Sequence, residues 1–258
     1  MDIAVPTPDG FEPPQTIDRK TLIVFVSAML LLVVFNYWGL PSRFAGTSFH
    51  QGLADRLGEG YRAYFLLLPY QFWGVSSLVI RVLAPLAVIT IILRESPRDW
   101  GFRLTGQWEH LRPYVWFLAA MLPVLLLASS LGSFQAKYPL YPLAVEGGWH
   151  FWGYQLFYGM QFLGLEAFFR GFMVFGLYPR LGMYAVPVMV IPYTMIHFGK
   201  PAPETFAAIL AGFILGYLAL KSRSFLWGWM LHWGVAITMD VLVIGHEFGF
   251  TNIGRVIF

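Results

Sequence analysis

Seven long apolar runs, at about 21–38, 64–93, 113–131, 151–176, 182–198, 203–220 and 225–245, limit the folds open to this chain. About 20 apolar residues cross the hydrocarbon core of a bilayer. At that depth every backbone N–H and C=O must be satisfied internally, so only helices and closed barrels span. No ten-residue alternation of apolar and polar side chains marks barrel strands. Aromatic residues fill every run, and helices apolar on all sides follow. The expected fold is all-α, a polytopic transmembrane helix bundle of seven or eight spans. The eighth arises if the second run divides, by a kink at Pro69 or Pro85 or by a short interfacial helix ahead of the span.

Charge supports this reading. Only 12% of the residues are charged, half the roughly 25% of an ordinary soluble domain. The net charge of +3 is small and scattered, which excludes a nucleic-acid partner. The absence of cysteine removes disulfides and thiolate chemistry. Residues 1–20 form a polar tail carrying Asp2, Asp9, Glu12, Asp18, Arg19 and Lys20. No small-x-small cleavage site follows the first run, which therefore reads as a retained span. Residues 21–258 make one transmembrane domain.

With the amino terminus inside, nine lysines and arginines fall in inner segments (Arg19, Lys20, Arg94, Arg98, Arg103, Arg112, Arg180, Lys221, Arg223). Six fall outside (Arg43, Arg56, Arg62, Lys137, Lys200, Arg255). That excess favours a cytoplasmic amino terminus. The connection ESPRDWGFRL (95–104) reads as an ordered loop with an interfacial Trp100.

The informative residues are ionisable ones inside the runs: Arg81, Glu166, Arg170, His197, His232 and Asp240. Each costs at least about 2.5–3.5 kcal/mol to insert, so each needs a partner, a wet cavity or a function. Glu166 and Arg170 are four apart, and one helix face presents both as an ion pair. Tyr193 and His197 share that spacing, and His232, Ala236 and Asp240 form one stripe. Singly, each has a plain packing role: an ion pair pinning two helices, a satisfied histidine, an aspartate bonded to a neighbouring helix, an arginine that snorkels or pairs with Asp240. Together, on three helices, they point to a shared polar cavity.

These residues carry a resemblance. GLEAFFRGF (164–172) resembles the first motif of the CPBP family, the CAAX-processing and bacteriocin-processing (Abi-like) intramembrane glutamic proteases, which reads Glu-Glu-x-x-x-Arg-Gly. Tyr193-Thr-Met-Ile-His197, continuing as HFGKPAPE, is similar to the second motif, Phe-x-x-x-His. His232-Trp-Gly-Val-Ala236 matches part of the third, His-x-x-x-Asn. The ordered set lies within about 150–245, where the resemblance implies a CAAX-protease-like core. Two positions depart from the pattern: Leu165 stands at the first glutamate and Ala236 at the asparagine.

The resemblance implies an intramembrane endopeptidase that cuts a CAAX-like or leader-type membrane peptide. It implies that Glu166, beside Arg170, works with His197 to activate water, and that His232 stabilises the oxyanion. Tyr193 and Asp240 would support them. No cofactor is expected; the alternative is zinc held by Glu166, His197 and His232. HEFGF (246–250) opens like a zinc-helix motif but has Phe250 where the second histidine belongs. The expected partners are membrane lipid and a membrane-associated peptide, and the expected location is the cell membrane of a prokaryote. A catalytically inactive relative that binds a membrane peptide, as an immunity protein would, remains the alternative. A transporter would need internal symmetry, and none is visible.

Overall fold

The computed structural model describes residues 18–54, 56, 62–103, 108–251 and 253–254. Most of the polar tail, with Asp2, Asp9 and Glu12, lies outside the described residues, as do Leu104 and Arg255. No strand occurs among those described, and six helices are long and apolar enough to cross a membrane. These are α1 (Arg19–Gly39), α2 (Leu68–Ile92), α3 (Trp108–Ser129), the run Gly148–Met195, α6 (Ala202–Ser222) and α7 (Leu226–Phe248). The chain is an integral, multi-pass membrane protein.

Six helices reach the length of a span, not the seven or eight expected, for two physical reasons. The second apolar run does not supply two crossings. It holds a short helix, Arg62–Phe65, followed by the single span α2. The fourth and fifth runs are joined in one helical stretch of 48 residues. That stretch comprises α4 (Gly148–Glu166), a π-helical run (Ala167–Phe175), a turn at Gly182 with φ +54°, and α5 (Ala185–Met195). With 11 residues, α5 rises only about 16 Å at 1.5 Å per residue. Its neighbours inflated the apolar run seen in the sequence.

Local chemistry sets the boundaries. Asp18 caps α1 by accepting from the Thr21 amide at 2.8 Å, as an N-cap aspartate does. Pro85 lies within α2, where proline removes an amide and crowds the carbonyl four residues back. The π-helical turns Val79–Leu83 and Val88–Ile92 flank it, and the wider turn absorbs the misfit.

α2 and α4 approach each other closely. A Cβ on Gly164 would meet Ser77 Oγ at 2.3 Å, and one on Gly74 would meet the Phe157 carbonyl at 2.6 Å. Small residues let the backbones touch where no hydrophobic force drives helices together. α7 packs on α3 and α4, and α5 on α6.

One end of the bundle is tied by contacts between distant segments. Lys20 pairs with Glu95 at 2.7 Å, Tyr114 meets Ser222 at 3.3 Å, and Ser224 donates to the Arg103 carbonyl. The segments counted as inner thus share an end. Trp100 is not at the lipid interface as expected. It is 1% exposed, lies against Phe172 at 5.6 Å between ring centres, and donates from Nε1 to Glu95 at 2.9 Å.

Candidate active site

Glu166 closes α4 at the junction with the π-helical run that carries Arg170. π-turns inside helices occur frequently at functional sites. Both side chains are fully buried, and Arg170 Nη1 lies 3.1 Å from Glu166 Oε1. The guanidinium carbon sits 4.1 Å from the centre of the Tyr193 ring, so the cation is held between a carboxylate and an aromatic face. The four-residue spacing thus gave the ion pair.

The same Glu166 oxygen lies 3.0 Å from His232 Nδ1 on α7. A carboxylate can only accept, so Nδ1 donates, and a neutral ring then presents Nε2 as an acceptor. Gly228, one turn before His232, makes this approach feasible. A Cβ there would stand 3.0 Å from Glu166 Oε2, the carboxylate oxygen that has no hydrogen-bond partner. Phe162 lies against the His232 ring at a tilt, with centres 4.4 Å apart.

His197 lies just beyond α5, and its Nδ1 is 2.8 Å from the Tyr193 carbonyl. A carbonyl also only accepts, so His197 too has Nδ1–H and a free Nε2 lone pair. The turn is fastened from α6, where Thr205 Oγ1 donates to the His197 carbonyl at 3.0 Å.

The two histidines and Tyr193 line a cavity of about 240 Å³. Its walls come from α2 to α7, and include Phe117, Leu125, Ala208, Leu215, Leu231 and Val235. Glu166 and Arg170 are not on that wall; they lie behind His232. The direct hydrogen-bond partner of Glu166 among the two histidines is His232, and Glu166 meets the cavity through that ring. Ala236 lines the cavity at the position where the motif has asparagine.

Asp240 belongs elsewhere. It is fully buried and accepts from Gln155 Nε2 of α4 at 2.6 Å, which is the helix-to-helix bond its plain reading gave. Arg81 does not pair with Asp240. Its guanidinium carbon lies 3.5 Å from the centre of the Phe35 ring on α1. His246 of HEFGF contacts Ser129 at 3.2 Å. Among the described residues no three His, Asp or Glu side chains are gathered closely enough to hold a metal ion.

Sequence reasoning passed over three groups on the cavity wall: Tyr138, Lys200 and Glu204. The four-residue spacing of Lys200 and Glu204 was legible within HFGKPAPE. Their link to Tyr138, 62 and 66 positions away, was not.

With this geometry in place, residues 147–238 match the model of the family described as Rce1-like, the type II CAAX prenyl endopeptidase Rce1-like family. The match runs from the start of α4 into α7 and includes Glu166, Arg170, His197 and His232. The resemblance to the CPBP intramembrane proteases holds over this core. No curated protein and no solved structure matches the chain.

Proposed function

We infer, from a core that carries the Rce1-like signature, that this chain is an intramembrane endopeptidase whose base is His232 oriented by Glu166. The observation that supports it is the 3.0 Å contact between Glu166 Oε1 and His232 Nδ1, made by a histidine on the cavity wall. The substrate is a membrane-associated peptide, CAAX-like or leader-type, in the cell membrane of a prokaryote.

In this reading a water in the cavity hydrogen-bonds His232 Nε2 and His197 Nε2. As its oxygen attacks the scissile carbonyl, His232 takes a proton and becomes an imidazolium. Glu166 holds the ring in the required tautomer and stabilises that charge, as the aspartate does in a serine-protease triad. The same imidazolium then returns the proton to the leaving amine as the C–N bond breaks. Arg170 compensates the buried carboxylate while the histidine is neutral. Tyr193 holds both ends of the arrangement, through its ring under Arg170 and its carbonyl on His197. Asp240 supports the site by joining α7 to α4.

A second reading, a non-catalytic membrane binder or immunity protein, draws on Ala236, which offers no hydrogen-bond donor to an oxyanion. Incubating the purified chain in liposomes with lipidated and unlipidated membrane peptides separates the two. New termini detected by mass spectrometry support the endopeptidase. Retention of intact peptide supports the binder.

A further inference from the structure

α3 and α6 flank one side of the cavity. α3 turns Phe117, Met121, Val124 and Ala128 to it, and α6 turns Glu204, Ala207, Ala211 and Leu215. Steps of three and four residues mark one face of each helix. From Phe117 to Ala128, and from Glu204 to Leu215, each face runs about 16 Å at 1.5 Å per residue. That is about half of a hydrocarbon core about 30 Å thick.

The two helices are joined at both ends and part between them. At one end the start of α3 meets the end of α6, where Tyr114 lies 3.3 Å from Ser222 and Phe117 and Leu118 pack with Leu215 and Leu218. At the other, Tyr138, on the connection from α3 to α4, donates to the Glu204 carboxylate at 2.7 Å. Lys200 pairs with Glu204 at 3.1 Å and donates to the Tyr138 oxygen. Between these ends the helices lean on different neighbours. Leu125 and Ala128 pack with Met239 and Val243 of α7, whereas Ala208 packs with Val190 and Tyr193 of α5. A Cβ on Gly212 would stand 3.0 Å from Val190, so α6 is held close to α5 here. Val124 is 48% exposed and Ala207 is exposed as well, yet both line the cavity. The cavity is therefore open between them, on a side where both flanks are spans and the surroundings are acyl chains.

We propose that this opening admits an apolar peptide segment sideways from the bilayer to His197 and His232. The fate of that segment rests on the endopeptidase reading; its entry does not. Between the two joined ends the flanking side chains are apolar, and a charged residue passing at that depth would find no partner. The charges at the Tyr138 end are already joined to each other. The occupant is a peptide and not a lipid tail, because the histidines behind the opening can hydrogen-bond a peptide group and cannot hydrogen-bond hydrocarbon. Ala207 and Ala211 keep the α6 side of the opening low, so bulk at these positions limits what passes.

The chain has no cysteine, so one introduced thiol can carry a benzophenone cross-linker without background. Val124→Cys and Ala207→Cys put it on the two sides of the opening. Leu126→Cys and Phe206→Cys put it at exposed positions of the same helices that are off the cavity wall. Each full-length variant is illuminated in liposomes with a biotinylated apolar peptide, with and without an excess of untagged peptide. Attachment should be about tenfold greater at the opening than at the outer positions, a ratio corresponding to about 1.4 kcal/mol, and untagged peptide should remove the difference. Ala207→Trp should lower attachment through Val124→Cys by a similar factor, and Phe206→Trp should leave it unchanged. Equal attachment at all four positions, lipid adducts in place of peptide at the opening, or an Ala207→Trp protein that attaches peptide as the parent does overturns the proposal. Attachment at the opening without cleavage counts against the endopeptidase reading alone. Cleavage that persists in Ala207→Trp, without attachment at the opening, counts against this inference alone.

Discussion

His232 Nδ1 lies 3.0 Å from Glu166 Oε1, so a histidine of the last span and a glutamate at the end of α4 form one hydrogen-bonded pair. Arg170 shares the same carboxylate oxygen at 3.1 Å. The three side chains act as a unit, and their substitution should show it.

Arg170→Leu leaves Glu166 charged, buried and uncompensated. Breaking one side of a buried pair costs about 3–5 kcal/mol, whereas replacing both partners by apolar groups is often close to neutral. Thermal unfolding in detergent should therefore show Arg170→Leu well below the parent and the Glu166→Leu/Arg170→Leu double variant partly restored. Additive losses would mean the two residues do not interact.

Gly228→Ala tests the approach of α7 to the carboxylate. The new methyl would stand 3.0 Å from Glu166 Oε2, and the carboxylate must shift by a few tenths of an ångström. A misplacement of about 1 Å can cost about a hundredfold in rate, so a loss of about tenfold in cleavage is expected with little change in unfolding temperature. Unchanged cleavage would show that the carboxylate position is not critical.

Gly164→Ala acts on the bundle instead. Its Cβ would meet Ser77 Oγ at 2.3 Å and the Ser77 carbonyl at 2.7 Å, and backbone cannot yield cheaply. Overpacking of this kind costs about 1–3 kcal/mol, which should lower the unfolding temperature. A stable Gly164→Ala protein would mean that α2 and α4 sit farther apart.

Much of this was legible in the sequence. Apolar runs gave the helices because a bilayer permits little else, and the spacing of Glu166 and Arg170 gave their ion pair because it is local. The shortness of α5 was hidden, since Gly182–Tyr184 is as apolar as a span yet turns the chain. The π-helical run was hidden as well, because a widened turn leaves composition unchanged. The choice of His232 over His197 as partner of Glu166 depends on α7 lying against the end of α4, which no spacing within one helix reports. Lys200 was visible as a charge, but its neutralisation by Glu204 and Tyr138 was not.

Removal of metal addresses the zinc alternative. A site in which histidine and glutamate activate water keeps its activity after dialysis against a chelator. Loss of cleavage restored by added zinc would place a metal in the mechanism.

The most direct measurement is the cleavage rate of one membrane peptide by the parent, His232→Gln and Glu166→Gln proteins, each confirmed as folded by thermal unfolding. The account predicts that the parent cuts and that both variants lose about a hundredfold or more, on the scale of lost general acid–base catalysis. Equal rates in all three proteins would contradict it.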